Sequence, residues 1–185
     1  MKYGHFSSEG TEFIITTPNT PRPWINYLTN ERYCAIISQC AGGYSFYKDA
    51  KERRITRYRY NNIPYDRGGR YIYVKDKETS KFWSVSWQPT NIAEKDGYQY
   101  ECRHGLGYTV IQSTYENIHT RTTYFVPLNE DLEIWKCEIT ALPEGGRGTR
   151  ELSVFSFIEF CLWDALNDMT DYQYNLNIGE TEFKN

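Results

Sequence analysis

The sequence predicts an all-β fold, an antiparallel β-sandwich formed as one domain. Apolar and polar residues alternate along most of the 185-residue chain, and a period of two is typical of a half-buried strand. Turn-forming residues interrupt the alternation about every 8–12 residues, as in sandwiches and barrels. A long helical period is missing, and only residues 161–169 suit a helical turn or two.

Eight alternating segments lie within the first 114 residues. Turn signals separate them, at residues 18–23, 42–43, 64–69 and 75–80. Each segment has the length of an ordinary strand. The predicted strands are residues 11–16, 33–38, 44–47, 55–60, 71–75, 82–87, 98–103 and 107–114.

The second half contains the clearest alternation. Ile118 and Tyr124 share one face of the run 118–126, and Trp135 lies on the corresponding face of the run 135–140. Residues 152–160 are apolar on both faces, which is typical of a central strand. Short turns connect these three segments, so we predict an antiparallel meander.

Charge and composition exclude several classes of function. The chain has 21 Lys+Arg against 24 Asp+Glu, a net charge of -3, and so lacks the cationic surplus of a dedicated nucleic-acid binder. Its apolar runs fall short of the ~20 residues that span a bilayer. Its first residues lack the apolar region of a secretory signal. We expect a cytoplasmic protein with neither nucleic acid nor a membrane as partner.

The cysteines and histidines predict no metal site, because they are scattered without metal-ligand spacing. An odd number of thiols without a secretion signal favours reduced cysteines that act as small core residues. The residues concerned are Cys34, Cys40, Cys102, Cys137, Cys161, His5, His104 and His119.

Two glycine-containing segments predict turns rather than ligand sites. Residues 42–44 lack the GxxxxGK[ST] pattern of a phosphate loop, and no helix follows them, so a tight turn between strands is expected. Residues 104–107, His-Gly-Leu-Gly, are expected to form a strand break or bulge, because Gly tolerates positive φ.

Arg53, Arg57 and Arg59 lie in the densest polar and aromatic segment of the chain. On one face of a strand, three guanidinium groups suit an anion or the acidic groups of a second subunit. A solvated face is the alternative, balanced by the acidic residues Asp49, Glu52 and Asp66. The residues alone leave both interpretations open.

Residues 163–177 combine side chains that suit sugar hydroxyl groups. Asp, Asn and Gln can hydrogen-bond such groups, and the Trp and Tyr rings offer flat apolar faces. A surface loop rich in Asx turns has the same composition. Asp164, Asp168 and Asp171 suggest an acid–base pair, but a glycosidase holds its two carboxyl groups roughly 5–9.5 Å apart, and linear spacing does not establish that distance.

Ten short sequence motifs occur along the chain in this order: YGHF (3–6), TPRPWINYL (20–28), AGGYSFY (41–47), RRITRYRYNN (53–62), GRY (69–71), WQP (87–89), ECRHGLGY (101–108), FVP (125–127), FSFIEF (155–160) and LWDA (162–165). Together they resemble the N-terminal region of the cellobiose phosphorylases, in glycoside hydrolase family ninety-four. The resemblance covers essentially the whole chain. Residues 57–62 look closer to cellobiose phosphorylases than to chitobiose or cellobionic acid phosphorylases.

The resemblance implies an inverting phosphorolysis, in which cellobiose and phosphate give α-glucose 1-phosphate and glucose. Phosphate replaces the activated water of an inverting hydrolase, so one carboxylic acid is enough, and no cofactor is implied. In the family that acid lies in a later (α/α)-barrel. Residues 1–185 are thus expected to be part of the N-terminal sandwich (supersandwich-like, galactose mutarotase-like), without linker helices, barrel or C-terminal domain, and inactive alone.

The resemblance also implies a homodimer, in which a loop of this domain approaches the acceptor side of the partner subunit's active-site entrance. The matching positions are Asp164, Asp171, Gln173, Tyr174 and Asn175. Many relatives carry Arg in place of Tyr174 and Asn in place of Asp171, a departure that bears on the acceptor contacts. No catalytic residue is carried over to this chain.

Two hypotheses of different classes follow. The chain is either part of a phosphorylase, contributing dimer contacts and an entrance loop, or a stand-alone carbohydrate-binding or structural sandwich without activity. Downstream sequence that encodes a barrel with a catalytic acid would favour the first hypothesis.

Overall fold

The computed structural model describes residues 2–58, 68–143 and 149–171, which form antiparallel sheets and one short helix. This confirms the predicted all-β class. The strands are β1 (Gly4–Phe6), β2 (Glu12–Ile15), β3 (Ile25–Thr29), β4 (Tyr33–Ser38), β5 (Gly43–Tyr47), β6 (Arg54–Thr56), β7 (Tyr71–Asp76), β8 (Phe82–Ser84), β9 (Gln99–Gly105), β10 (Tyr108–Tyr115), β11 (Ile118–Phe125), β12 (Ile134–Ala141), β13 (Leu152–Phe157) and β14 (Phe160–Trp163), and the helix is α1 (Ala165–Asp171).

The described strands form three sheets, in the orders β1-β2-β9-β10-β11-β12, β14-β6-β5-β4-β3 and β13-β7-β8. One apolar cluster joins the six-stranded sheet to the five-stranded sheet, through residues such as Ile15, Ile37 and Ile111. A second cluster, around Trp83 and Ile118, joins it to the three-stranded sheet. The six-stranded sheet is therefore the shared layer of the sandwich.

The predicted faces of the central hairpins are confirmed. In β11, Ile118, Thr120, Thr122 and Tyr124 are buried, whereas the residues between them are not. β12 pairs with β11 along its whole length, and Trp135 packs against the first apolar cluster. Alternation thus identified both the strands and their buried sides.

The predicted three-stranded meander is wrong in its third member. β13 does not continue the sheet of β12; it pairs with β7, from Leu152 opposite Asp76 to Phe157 opposite Tyr71. It is an edge strand of its sheet, and Phe155 and Phe157 are exposed rather than central. The segment also divides, because Phe160 starts a separate strand, β14, that pairs with β6. An apolar period shows that a segment is extended but not which strand it pairs with.

Several boundaries differ from the predicted ones. Two strands, β1 and β3, were not predicted, and β6 ends at Thr56, so Arg57 follows the strand instead of lying within it. The Gly42-Gly43 turn is confirmed between β4 and β5. Residues 104–107 do not form a bulge: His104 and Gly105 end β9, and Leu106 and Gly107 form the tight hairpin connection to β10, with Gly107 at φ 80°.

His104 and the cysteines lie in structural environments. The ring nitrogens of His104 lie 3.0 Å from the Thr109 hydroxyl and 3.0 Å from the Trp24 carbonyl oxygen. The five cysteines are free thiols. Within the described residues, no group of three His, Cys, Asp or Glu side chains is arranged to hold a metal ion. No helix in that part of the chain is long and apolar enough to cross a membrane.

Candidate functional site

The candidate site is the corner where β6, β14 and α1 meet, which we call the helix corner. Phe160 lies opposite Thr56 and Trp163 opposite Arg54 in the β6–β14 pair. Beyond the strands, the backbone N–H of Arg57 donates to the Glu159 carbonyl at 2.9 Å. Helix α1 starts directly after this pairing, so the sheet determines where it begins.

Asp164 caps the N-terminus of α1. Its Oδ1 accepts the N–H groups of Leu166 at 2.9 Å and Asn167 at 2.8 Å, which are otherwise unpaired in the first helical turn. Its other oxygen lies 3.6 Å from Lys51 Nζ, and the Ala165 N–H donates to the Lys51 carbonyl. The hydrogen bond from Asn167 lowers the pKa of Asp164 most, so this carboxylate stays ionised as a cap.

Arg57 and Asp168 form a buried ion pair one helical turn further on. Nε of Arg57 lies 3.0 Å from Oδ1 and 2.9 Å from Oδ2, and Nη2 lies 2.6 Å from Oδ1. The two side chains are 8% and 4% exposed. The hydrogen bond to Asp168 raises the pKa of Arg57 despite burial. The guanidinium fork therefore joins the end of β6 to the middle of α1.

The predicted arginine face is only partly described. Arg53 is exposed, with its guanidinium carbon 6.0 Å from the Tyr47 ring centroid. Arg54, not singled out from the sequence, is buried over the Tyr44 ring at 3.7 Å. Arg59 lies outside the described residues. Arg57 has the intramolecular partner Asp168, and a dimer or anion contact for these arginines stays a prediction.

The predicted acceptor-side residues are distributed along and after the helix. Asp164 is the N-cap, and Asp171 ends α1. Gln173, Tyr174 and Asn175 lie outside the described residues. The structure thus positions the helix that directly precedes these three residues in the chain.

A cleft of about 530 Å³ lies beside the helix corner and was not predicted from the sequence. Tyr33, Trp135 and Phe160 contribute aromatic rings, and Glu133 a carboxylate. Burial and the charge of Glu133 raise the pKa of Tyr33 to about 12, so its hydroxyl stays protonated. Glu133 accepts hydrogen bonds from Arg70 and from Trp135 Nε1. A second carboxylate of the lining, Asp131, lies 3.1 Å from Arg32 Nε. The cleft therefore offers ring faces and two carboxylates that are each paired with an arginine.

Comparison with known proteins gives consistent matches. Residues 11–185 match the family model described as Glycosyl hydrolase 94, supersandwich domain. The chain is 41% identical over 184 residues to an N,N'-diacetylchitobiose phosphorylase of Vibrio proteolyticus, and 42% identical over 185 residues to a protein of that name from Vibrio furnissii. Each alignment covers 100% of this chain and 22% of the relative.

A third relative is a solabiose phosphorylase of Paenibacillus borealis, 35% identical over 161 residues, which are 86% of this chain and 20% of the relative. The chain therefore spans about a fifth of the length of these curated relatives.

Proposed function

Because this chain belongs to the glycosyl hydrolase 94 family, as a supersandwich domain, we propose that it is the N-terminal part of an inverting disaccharide phosphorylase. The observation that carries the proposal is the identity of 41–42% along the whole chain to two phosphorylases. The reaction is the transfer of a glycosyl group from a disaccharide to inorganic phosphate. The bond between the two sugars breaks, a C1–O bond to phosphate forms, and the departing sugar takes a proton from a general acid.

The geometry of the helix corner supports a non-catalytic role for this domain. A general acid must be protonated and within reach of the leaving oxygen. Asp164 is occupied as a helix cap, and Asp168 accepts three contacts from Arg57. We therefore assign the acid to the barrel domain of the parent protein and predict that residues 1–185 are inactive alone.

The proposed contribution of this domain is a wall of the acceptor side. In the proposed homodimer, residues on both sides of α1 and at its end approach the entrance of the partner subunit's active site. These residues are Asp164, Asp171, Gln173, Tyr174 and Asn175. The carboxamides of Gln173 and Asn175 and the carboxylate of Asp171 would hydrogen-bond the hydroxyl groups of the sugar that leaves in phosphorolysis, whereas Asp164 would contribute as the cap of the helix. A cytoplasmic location, where free phosphate and sugar phosphates occur, completes the proposal.

We propose cellobiose as the disaccharide, on the support of residues 57–62, which look closer to cellobiose phosphorylases than to chitobiose or cellobionic acid phosphorylases. N,N'-diacetylchitobiose is the alternative, because two relatives at 41% and 42% identity carry that substrate in their names. The two sugars differ in acetamido groups, so a panel of both substrates distinguishes them.

The test uses the full-length parent protein with phosphate and either cellobiose or N,N'-diacetylchitobiose. Release of α-glucose 1-phosphate from cellobiose supports the proposal, and release of the N-acetylated sugar phosphate alone supports the alternative substrate. Turnover of neither, in a folded protein, would exclude both disaccharides as substrates. In the same protein, changing Gln173 and Asn175 together to Ala should raise the KM for the acceptor sugar in the reverse reaction; an unchanged KM would remove them from the site.

The second candidate function is carbohydrate binding by the isolated domain, which the aromatic cleft beside the helix corner favours. Trp135 and Phe160 offer ring faces on which a sugar could stack. Titration calorimetry of residues 1–185 with cellobiose tests it. Heat of binding that disappears when Trp135 is changed to Ala, in a protein that stays folded, would support this candidate.

A further inference from the structure

We propose that the Arg57–Asp168 pair is a positioning device, which fixes the orientation of α1, the helix that directly precedes the proposed acceptor-side residues in the chain. This inference rests on the proposed function and extends it to two residues that form an ion pair within the domain. Arg57 and Asp168 are 111 residues apart in the chain. Neither would touch the substrate; both act through the helix.

The first support is the way in which α1 is anchored. Surface helices usually bury an apolar stripe. Among residues 165–170, whose side chains the structure describes, only Asp168 is fully buried, and Leu166 is 48% exposed. The fully buried side chain among residues 165–170 is therefore a charged one, while Ala165 and Met169 are partly buried.

The second support is the length of the helix. α1 has 7 residues, whereas isolated helices shorter than about 12–15 residues are marginal in water. Its position must come from tertiary contacts. The Asp164 cap holds its first turn beside Lys51, and Asp168 holds the second turn. Two fixed points on one short helix determine both its axis and its rotation.

The third support is the kind of contact. Replacing a buried ion pair by apolar residues of similar size is often neutral or stabilising, so stability alone gives little reason for a buried Arg–Asp pair. When a guanidinium group makes several hydrogen bonds to one carboxylate, they fix both the distance between the two groups and the plane in which the groups lie. At the helix corner, Nε and Nη2 of Arg57 lie 2.6–3.0 Å from the carboxylate oxygens of Asp168. We infer that the pair determines orientation.

The test is made in the full-length parent protein, with three variants. The first replaces the pair by apolar residues, Arg57→Met with Asp168→Leu. The second, Arg57→Lys, keeps the charge but removes the fork. The control, Arg121→Met with Glu138→Leu, removes an exposed ion pair of the β11–β12 hairpin. Kinetics are measured in the synthetic direction, with sugar 1-phosphate and acceptor varied separately.

We expect the apolar pair to raise the KM for the acceptor about tenfold, because small misplacements remote from the chemistry reduce productive binding strongly. The KM for sugar 1-phosphate and the Tm should match the control. The acceptor KM of the Arg57→Lys variant should lie between that of the control and that of the apolar double variant. Hydrogen exchange of the amides of residues 165–171 should be faster in both variants than in the control.

Two results would overturn the inference. One is an acceptor KM equal to that of the control in a variant with faster exchange. The other is a loss of every kinetic constant in proportion to Tm, which indicates a structural role alone. A wild-type protein without phosphorylase activity would instead refute the proposed function; hydrogen exchange would then still decide whether the pair positions α1.

Discussion

The guanidinium of Arg70 is bound by the carboxylate of Glu133 inside the sandwich, 63 residues away in the chain. Nε lies 2.7 Å from Oε1 and Nη2 lies 3.0 Å from Oε2. The two side chains are 1% and 9% exposed. Burial lowers the pKa of Arg70, but the charge and hydrogen bonds of Glu133 outweigh this and raise it. The pair closes the core beside the aromatic cleft.

Changing Glu133 to Gln should therefore destabilise the fold strongly. The substitution leaves a buried guanidinium without its counter-charge, and breaking a buried pair in this way costs about 3–5 kcal/mol. Chemical denaturation of the chain measures the loss. Glu138→Gln is the control, because it breaks an exposed pair with Arg121, worth about 0–1 kcal/mol. Equal losses of unfolding free energy in Glu133→Gln and Glu138→Gln would contradict the prediction that the buried pair contributes more than the exposed one.

Gly43 should not tolerate a side chain. Its φ is +114°, and a Cβ would lie 2.1 Å from the Ile36 carbonyl oxygen. Gly43→Ala is expected to lose about 2–4 kcal/mol of unfolding free energy through backbone strain and this overlap. Gly10 also has a positive φ, +71°, but open space around it, so Gly10→Ala should lose only about 1 kcal/mol. Comparing the thermal unfolding of the two variants separates the two costs, because both variants have the strain of a positive φ but only Gly43→Ala has the steric overlap.

His104 should make the stability depend on pH. Burial lowers its pKa to about 4, while its hydrogen bond to Trp24 acts in the opposite direction. The unfolded state, with a pKa near 6.5, binds the proton more tightly. Stability is then fully present above about pH 6.5 and falls as the pH drops towards 4, by roughly 2–3 kcal/mol.

The measurement for this pH dependence is the unfolding free energy from pH 8 to pH 4, for the wild type and for His104→Gln. The difference between the two curves should be constant above about pH 7, and the wild-type curve should fall more steeply below about pH 6.5. Parallel curves over the whole range would show that His104 is not the group responsible.

The exposed apolar side chains of β13 and β14 should promote association of the isolated chain. Val154, Phe155, Phe160 and Leu162 are 43–55% exposed, and β13 lies at the edge of its sheet among the described strands. Edge strands and apolar patches of this kind self-associate. Light scattering after size exclusion should show oligomers that grow with concentration and are reduced by Phe155→Thr.

The control for this association is Leu106→Thr. Leu106 is 97% exposed but stands alone in a hairpin connection, so its replacement should leave the oligomers unchanged. A monomer at every concentration would contradict the prediction.

Much of the local structure could be predicted from the sequence, because the side chains of a strand alternate with a period of two. Ile118 and Tyr124 were placed on the buried side of their strand, where the structure has them. The start of a short helix within residues 161–169 was also predicted. The short motifs that occur in order along the chain indicated the family, and the match of residues 11–185 to the family model confirms it.

Only the tertiary structure decided which strands pair and which charges meet. β13 has the composition of a central strand but lies at an edge beside β7. Arg57 and Asp168 suggested separate roles from the sequence and are partners in the fold. Periodicity and turn chemistry act over a few residues, so they determine local conformation and facing. Contacts across 63 or 111 residues depend instead on how whole sheets close around a shared core.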